Sequence, residues 1–304
     1  MVRMIGRGAV KMQGKRLLIV VGFVVTLAAA GAQIRKIDPT LLGKATAGDA
    51  QAQFLVGQAY LEGKGVAQDS SQAAEWFQKA ADQGNAQAQY ELGVLFHTGQ
   101  GVKQSDTQAA GLYLKAANQG LAAAQLHLGA LYDHGEGVPQ NYMQAAEWYR
   151  KAALQNNAEA EYNLGTLYER GLGVPQDYVQ AVDLYRLAAT AGNASAQFNL
   201  ALLYDNGQGV ERNYAEAAKW YNKAADQGVP RAQYNLGSMY VSGDGVPRDL
   251  AEAYYWLALA ASTWDGAHQQ QAISARDKVG ARLTPAQLFA EQQRVSKWLA
   301  ARKK

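Results

Sequence analysis

The stretch from Tyr162 to Gln197, YNLGTLYERGLGVPQDYVQAVDLYRLAATAGNASAQ, carries the pattern that decides the fold. It recurs six times in variant form, with no insertion or deletion between copies. One column sets the register: Gly57, Gly93, Gly129, Gly165 and Gly237 fall 36 residues apart or a multiple of that, and Ala201 fills the fifth slot. A second column follows three residues on, with Tyr60, Phe96, Tyr132, Tyr168, Tyr204 and Tyr240. A third is the glycine pair of GxGV, from Gly63/Gly65 to Gly243/Gly245. A period of this length is the signature of a solenoid, in which each unit is a supersecondary element too small to bury its own apolar face.

Each copy holds two helical patterns. Ala160, Leu164, Leu167 and Tyr168 recur at spacings of three and four and share a face. Gly165 beside them admits the close approach of another helix, and Gly171 and Gly173 end the first helix. The second helix starts at a column of good capping types: Asp69, Ser105, Asn141, Asp177, Asn213 and Asp249. Its apolar face holds Ala181, Leu184, Tyr185 and Ala188, and Gly192 closes it, with Asn156 in the glycine position of the third copy. Two short helices are marginal in water, so the copies must stack and share a core. The expectation is an all-α, right-handed α/α superhelical solenoid of six 36-residue helix-turn-helix repeats. The tyrosine series from Tyr60 to Tyr240 is expected to be core.

Copies of this length bearing AxAQ, LGxxYxxGxGV and WYxKAAxQG resemble the Sel-1-like repeat, a relative of the tetratricopeptide repeat. The motifs stand here as AQAQYELGVLF, AEAEYNLGTLYERGLGV and AAKWYNKAADQG, and the likeness runs over about residues 49 to 264. The resemblance implies an adaptor that binds a protein or peptide ligand in a concave groove lined by the first helices. Some proteins resembling this repeat are linked to penicillin binding or β-lactamase activity. An S-x-x-K nucleophile motif of that chemistry does not occur after residue 32.

Residues 1–32 differ from the rest. Arg3, Arg7, Lys11, Lys15 and Arg16 make a basic start, Leu17 to Leu27 is largely apolar, and Ala30-Gly31-Ala32 fits a cleavage site, which is the layout of a signal peptide. The apolar run is shorter than the roughly 20 residues of a spanning helix, so no stable membrane span is expected once it is removed. The formal charge of the whole chain is +3, and loss of those five cations takes it to −2. A basic footprint for nucleic acid is therefore absent. Residues 33–48 form a lead-in, with a turn expected at Asp38-Pro39. Residues 265–304 read as a two-helix C-terminal cap, the second helix opening on the capping-box pattern Thr284-Pro285-Ala286-Gln287.

Chemistry leaves little trace. There is no cysteine, and His97, His127, His134 and His268 form no metal motif, so no metal and no cofactor are expected. GxGV lacks the Lys-Ser/Thr of a phosphate loop. The carboxylates Glu75, Glu147 and Glu216 sit near Lys79, Lys151 and Lys219 or Lys223, as on a solvated face. No pair of carboxyls in unlike settings marks an enzyme.

Recognition then belongs to columns that vary while the frame holds. One reads Leu55, Glu91, His127, Asn163, Asn199, Asn235; another reads Gln58, Val94, Ala130, Thr166, Leu202, Ser238; a third reads Glu62, Thr98, His134, Arg170, Asn206, Ser242. The candidates are Glu91, His127, Asn163, Asn199, Asn235, Arg170 and Asn206. The amides Asn163, Asn199 and Asn235 are placed to bond the backbone of an extended peptide, or are satisfied internally. The expected role is a non-catalytic scaffold of the bacterial cell envelope, periplasmic after export. A regulator of, or enzyme acting on, peptidoglycan or β-lactams and a secreted factor engaging host proteins are the alternatives.

Overall fold

The computed structural model describes residues 36–302, so the signal segment read in residues 1–32 lies outside the described residues. Among them fifteen helices follow one another and no strand occurs. Helix α1 (Pro39–Thr46) leads in; Asp38, read above as part of a turn, is its N-cap and accepts from the Thr40 amide. Six hairpins follow: α2 (Ala50–Glu62) with α3 (Ser70–Asp82), α4 (Ala86–Thr98) with α5 (Asp106–Asn118), α6 (Ala122–His134) with α7 (Tyr142–Ala153), α8 (Ala158–Arg170) with α9 (Tyr178–Thr190), α10 (Ala194–Asn206) with α11 (Tyr214–Asp226), and α12 (Pro230–Ser242) with α13 (Leu250–Thr263). From α1 to α13 each helix packs on its successor, and α14 (Gly266–Gly280) and α15 (Pro285–Ala301) both close on α13.

The helix boundaries come from local chemistry. Gly171 ends α8 at φ +68, and its amide donates to the Leu167 carbonyl. Asp177 caps α9 by accepting from the amides of Val179 and Gln180, while its own amide returns to the Tyr168 carbonyl at 2.9 Å. Asn156 takes the left-handed conformation (φ 61) in place of the usual glycine.

The second glycine of GxGV does something other than stop a helix. A Cβ on Gly173 would lie 2.2 Å from the carbonyl carbon of Tyr142, at the start of the preceding hairpin's second helix. Gly101, Gly137, Gly209 and Gly245 meet the corresponding backbone one copy earlier. This glycine is the point where one hairpin's loop lies directly on its neighbour.

The fully buried aromatic column is Phe77, Tyr113, Tyr149, Tyr185 and Tyr221, on the second helices, not the Tyr60–Tyr240 series. That series is half-buried throughout. Its position explains why: Tyr60, Phe96, Tyr132 and Tyr168 each touch two successive core clusters. They lie across the seams between hairpins, where one edge of each ring stays wet. The lysines of the second helices also depart from the ion pairing expected. Lys79 and Lys151 lie over the rings of Trp76 and Trp148, 4.2 and 3.7 Å from the centroids, a cation–π arrangement. The Lys219–Glu216 pair does form.

At the C-terminal end α14 continues the series as a seventh first helix, its Gln269 bonding the Ala261 carbonyl. Helix α15 opens with the reciprocal Thr284–Gln287 capping box and is held by Arg294 on Glu252 and by Arg302 on the Gln227 carbonyl.

Candidate binding face

The face begins with a missing side chain. A Cβ on Gly165 would sit 2.9 Å from the Tyr185 ring, so glycine lets that ring lie flat along α8. The Tyr185 hydroxyl then reaches across the helix to Glu169 Oε2 at 2.6 Å and Thr166 Oγ1 at 3.1 Å. Burial, and next the Glu169 charge, push this hydroxyl far above its ordinary range, so it remains a neutral donor. Neighbouring copies repeat the contact: Tyr149 donates to Asp133 at 3.3 Å and Tyr221 to Asp205 at 3.4 Å.

The predicted columns surround these hydroxyls. Asn199 faces the Tyr185 hydroxyl from the next hairpin, so its amide is partly engaged within the frame. Asn163 and Asn235 are half-buried, and no side-chain hydrogen bond is formed by either among the described residues. His127 is committed internally: its ring stacks on Tyr113 with centroids 5.4 Å apart, and Nε2 meets the Tyr90 hydroxyl at 3.2 Å. Burial, with a smaller push from His97, lowers its pKa to about 4, so the ring is neutral at physiological pH. Glu91 is half-buried, and burial followed by the Glu62 charge raises its carboxyl. Arg170 and Asn206 are exposed in the last turns of α8 and α10.

Charges separated by a whole hairpin act on this face. Tyr90 of α4 is pushed up to about 12, first by burial, then by Glu91 and by Glu159 of α8. Arg231 of α12 acts in the opposite sense on Tyr162 of α8, whose rise is due mainly to burial. These contributions link first-helix side chains two copies apart on this face. Six carboxyls bond or act on these tyrosines and on one another, Glu62, Glu91, Asp133, Glu159, Glu169 and Asp205, against the two arginines Arg170 and Arg231.

The acids Asp133, Glu169 and Asp205 were not singled out in the sequence. Their signal is a carboxylate sixteen residues before the second-helix tyrosine in three consecutive copies. The remaining histidines have separate uses: His97 Nδ1 meets Asp106 at 2.8 Å, His134 Nδ1 meets the Ala130 carbonyl at 2.8 Å, and His268 stacks on Trp264 at 4.9 Å. Among the described residues no three metal-ligating side chains converge, and no helix is long and apolar enough to cross a membrane.

A family model and one solved structure agree with this architecture. A family model described as Sel1 repeat matches residues 50–85, 86–121, 122–157, 158–193, 194–229 and 230–262. A Sel1 repeat protein from Oxalobacter formigenes is 31% identical, with a TM-score of 0.63 over 73% of this chain and 95% of its own. A protective antigen with an SLR fold, present in uropathogenic Escherichia coli strains, is 25% identical, with a TM-score of 0.44 over 86% of each chain. An immunity protein from Pseudomonas aeruginosa is 23% identical, with a TM-score of 0.39 over 80% of this chain and 83% of its own. No curated protein matches the chain.

Proposed function

The chain belongs to the Sel1 repeat family, whose members are in general protein-interaction scaffolds, and on that premise we propose that it is a non-catalytic scaffold of the cell envelope that holds an extended peptide segment along its inner face. The observation that carries this reading is the run of half-buried amides Asn163 and Asn235, with Asn199 between them, on the first helices of successive copies. Amides at one-copy intervals offer donors and acceptors to a peptide backbone. The tyrosine rings beside them supply apolar contact at low entropic cost. The acidic balance of the face favours a segment that is neutral or basic.

Export rests on the basic-then-apolar layout of residues 1–32. Fractionation of cells expressing the full chain, with N-terminal sequencing of the product, tests it; an uncleaved product found in the cytoplasm sinks the envelope assignment. Binding is tested by crosslinking in periplasmic extract with wild type and the Asn163→Ala/Asn199→Ala/Asn235→Ala triple variant. Loss of crosslinked partners from a folded triple variant is expected. Identical partners in both samples rule out the amide run as the contact surface.

A further inference from the structure

A buried ladder of glutamines, away from the inner face, ties the hairpins together. Gln53, Gln89, Gln125, Gln197 and Gln233 are all nearly inaccessible. Each Nε2 donates to the backbone carbonyl eight residues back, at Ala45, Ala81, Ala117, Ala189 and Ala225, over 3.0 to 3.1 Å. Each Oε1 in turn accepts from the residue thirty positions on. Gln83, Gln119, Gln155 and Gln227 donate at 2.7 to 2.9 Å, and Thr263 at 3.3 Å. Gln155 and Gln227 use the same Nε2 to bridge to a second acceptor, the carbonyls of Gly120 and Gly192, both at 2.9 Å.

The fourth copy changes both members of the rung. Glu161 stands in the buried glutamine position and Ala191 in the donor position. Glu161 is only 4% exposed, and its side chain makes no hydrogen bond among the described residues. As a carboxylate it has no hydrogen for the Ala153 carbonyl. The methyl of Ala191 cannot reach Glu161 or the carbonyl of Asn156, the residue that replaces Gly120 and Gly192. Asn156 keeps the same left-handed turn, so its carbonyl stays in the position that a bridging amide occupies elsewhere. A carboxylate and a carbonyl thus face a spot where the other copies show a nitrogen within 2.9 Å of both acceptors. Asn156 and Ala191 are exposed, and the Glu161 carboxylate keeps contact with solvent at this gap, so the two acceptors face solvent where the other copies supply an amide.

The surroundings of this rung are altered in the same sense. Lys79, Lys115, Lys151 and Lys223 share a column in which the fourth copy has Leu187, and Leu184, like Leu112 of the second copy, stands where the other copies have tryptophan. The chain has therefore removed its own cation one turn before Ala191. Leu187 and Leu154 are 57% and 80% exposed; Leu154 precedes Asn156 by two residues. An anion is set at an open position, and two exposed leucines lie one turn from Ala191 and two residues from Asn156 along the chain.

We propose that this broken rung is a socket for a lysine or arginine side chain of a partner protein, whose N–H groups bridge Glu161 and the Asn156 carbonyl while its neighbouring residues cover Leu154 and Leu187. An ammonium or guanidinium supplies donors to both acceptors and neutralises the Glu161 charge. The exposed leucines select a protein over a free amine, because an isolated cation leaves them in water.

The test uses the peptide acetyl-Leu-Ala-Arg-Ala-Leu-amide, its citrulline counterpart, which is neutral and nearly isosteric, and n-butylguanidinium, each titrated into the isolated protein and followed by NMR. The arginine peptide should bind at least about tenfold tighter than the citrulline peptide, the loss expected for one charge-assisted hydrogen bond. Ala191→Gln restores the donor of the other copies and should abolish the preference; the isosteric Glu161→Gln should do the same without filling the notch. Leu154→Ser/Leu187→Ser should reduce the peptide to the affinity of n-butylguanidinium. The Asn163/Asn199/Asn235→Ala variant should bind the arginine peptide as wild type does, which separates this site from the inner face. Equal binding of arginine and citrulline peptides, or wild-type affinity in a folded Ala191→Gln, overturns the socket. A peptide no better than n-butylguanidinium overturns the assignment to a protein partner.

Discussion

Replacing Gly173 by alanine tests how the hairpins are joined. Two costs add. The backbone at Gly173 is left-handed, φ +68, which costs an L-residue about 1 to 2 kcal/mol. The added Cβ would also fall 2.2 Å from the Tyr142 carbonyl carbon and 2.4 Å from the Met143 nitrogen. Both are backbone atoms at the start of α7 and cannot rotate away, so the fourth hairpin must lift from the third, at an overpacking cost of about 1 to 3 kcal/mol. The smaller unfolded-state entropy of alanine returns about 0.4 to 1 kcal/mol. The net expectation is a loss of roughly 1 to 5 kcal/mol, centred near 3, from these three terms. Gly192→Ala is the control: its φ is +97 and a Cβ there meets nothing within 4 Å, so it bears the conformational penalty alone. Urea unfolding followed by circular dichroism measures both, and native-state hydrogen exchange shows where protection is lost. Stacked repeats uncouple when one interface weakens, so Gly173→Ala should broaden the transition and lower protection in α7 and α8. If it costs no more than Gly192→Ala, the loop-on-helix contact is not what joins the copies.

Three other expectations follow from the geometry. Tyr185→Ala should cost about 3 to 5 kcal/mol, as for other fully buried aromatics, and Tyr168→Ala clearly less, because Tyr168 keeps one edge in water; equal urea midpoints for the two variants contradict the assigned seam position. Tyr185→Phe removes the donor to Glu169 and should cost about 1.5 to 3 kcal/mol, the range for a hydrogen bond to a charged group, while an unshifted midpoint shows that this bond adds nothing net. His127 holds less proton when folded, with its pKa lowered from 6.5 to about 4, so the unfolded chain binds more protons between those values. Stability is then full above about pH 6.5 and falls as pH drops towards 4, by up to about 3 kcal/mol; His127→Gln should flatten that part of the urea-midpoint profile, and an NMR titration of the ring near 6.5 refutes the depression.

Much of the fold is legible from single residues because its causes are local. A capping side chain such as Asp177 acts on amides two and three residues away, and a glycine such as Gly171 acts through its own φ. Such effects recur with the period and can be counted along the chain. The half-burial of Tyr168 cannot be counted in this way. Tyr168 and Tyr185 are both aromatic, both periodic and both on apolar faces, and only the stacking of neighbours decides which ring crosses a seam and which is enclosed. The second GxGV glycine is similar: its helix-stop reading is local, whereas its contact with Tyr142 lies a copy away.

The candidate face was legible as a set of variable columns, and the structure sorted their members by what surrounds them. His127 went to the frame because Tyr90 and Tyr113 close on its ring. Asn163 and Asn235 remained free of side-chain bonds among the described residues, and Tyr185 drew Glu169 and Thr166 onto the same surface. The amino-acid order determined the period, the helix ends and the need to stack, since each depends on neighbours within one turn or one copy. The tertiary structure alone decided which periodic side chains are enclosed, which carboxylates meet a hydroxyl and which acceptor lacks the donor its counterparts have, because burial and hydrogen bonding belong to the space between hairpins, and that space exists only once the copies are assembled.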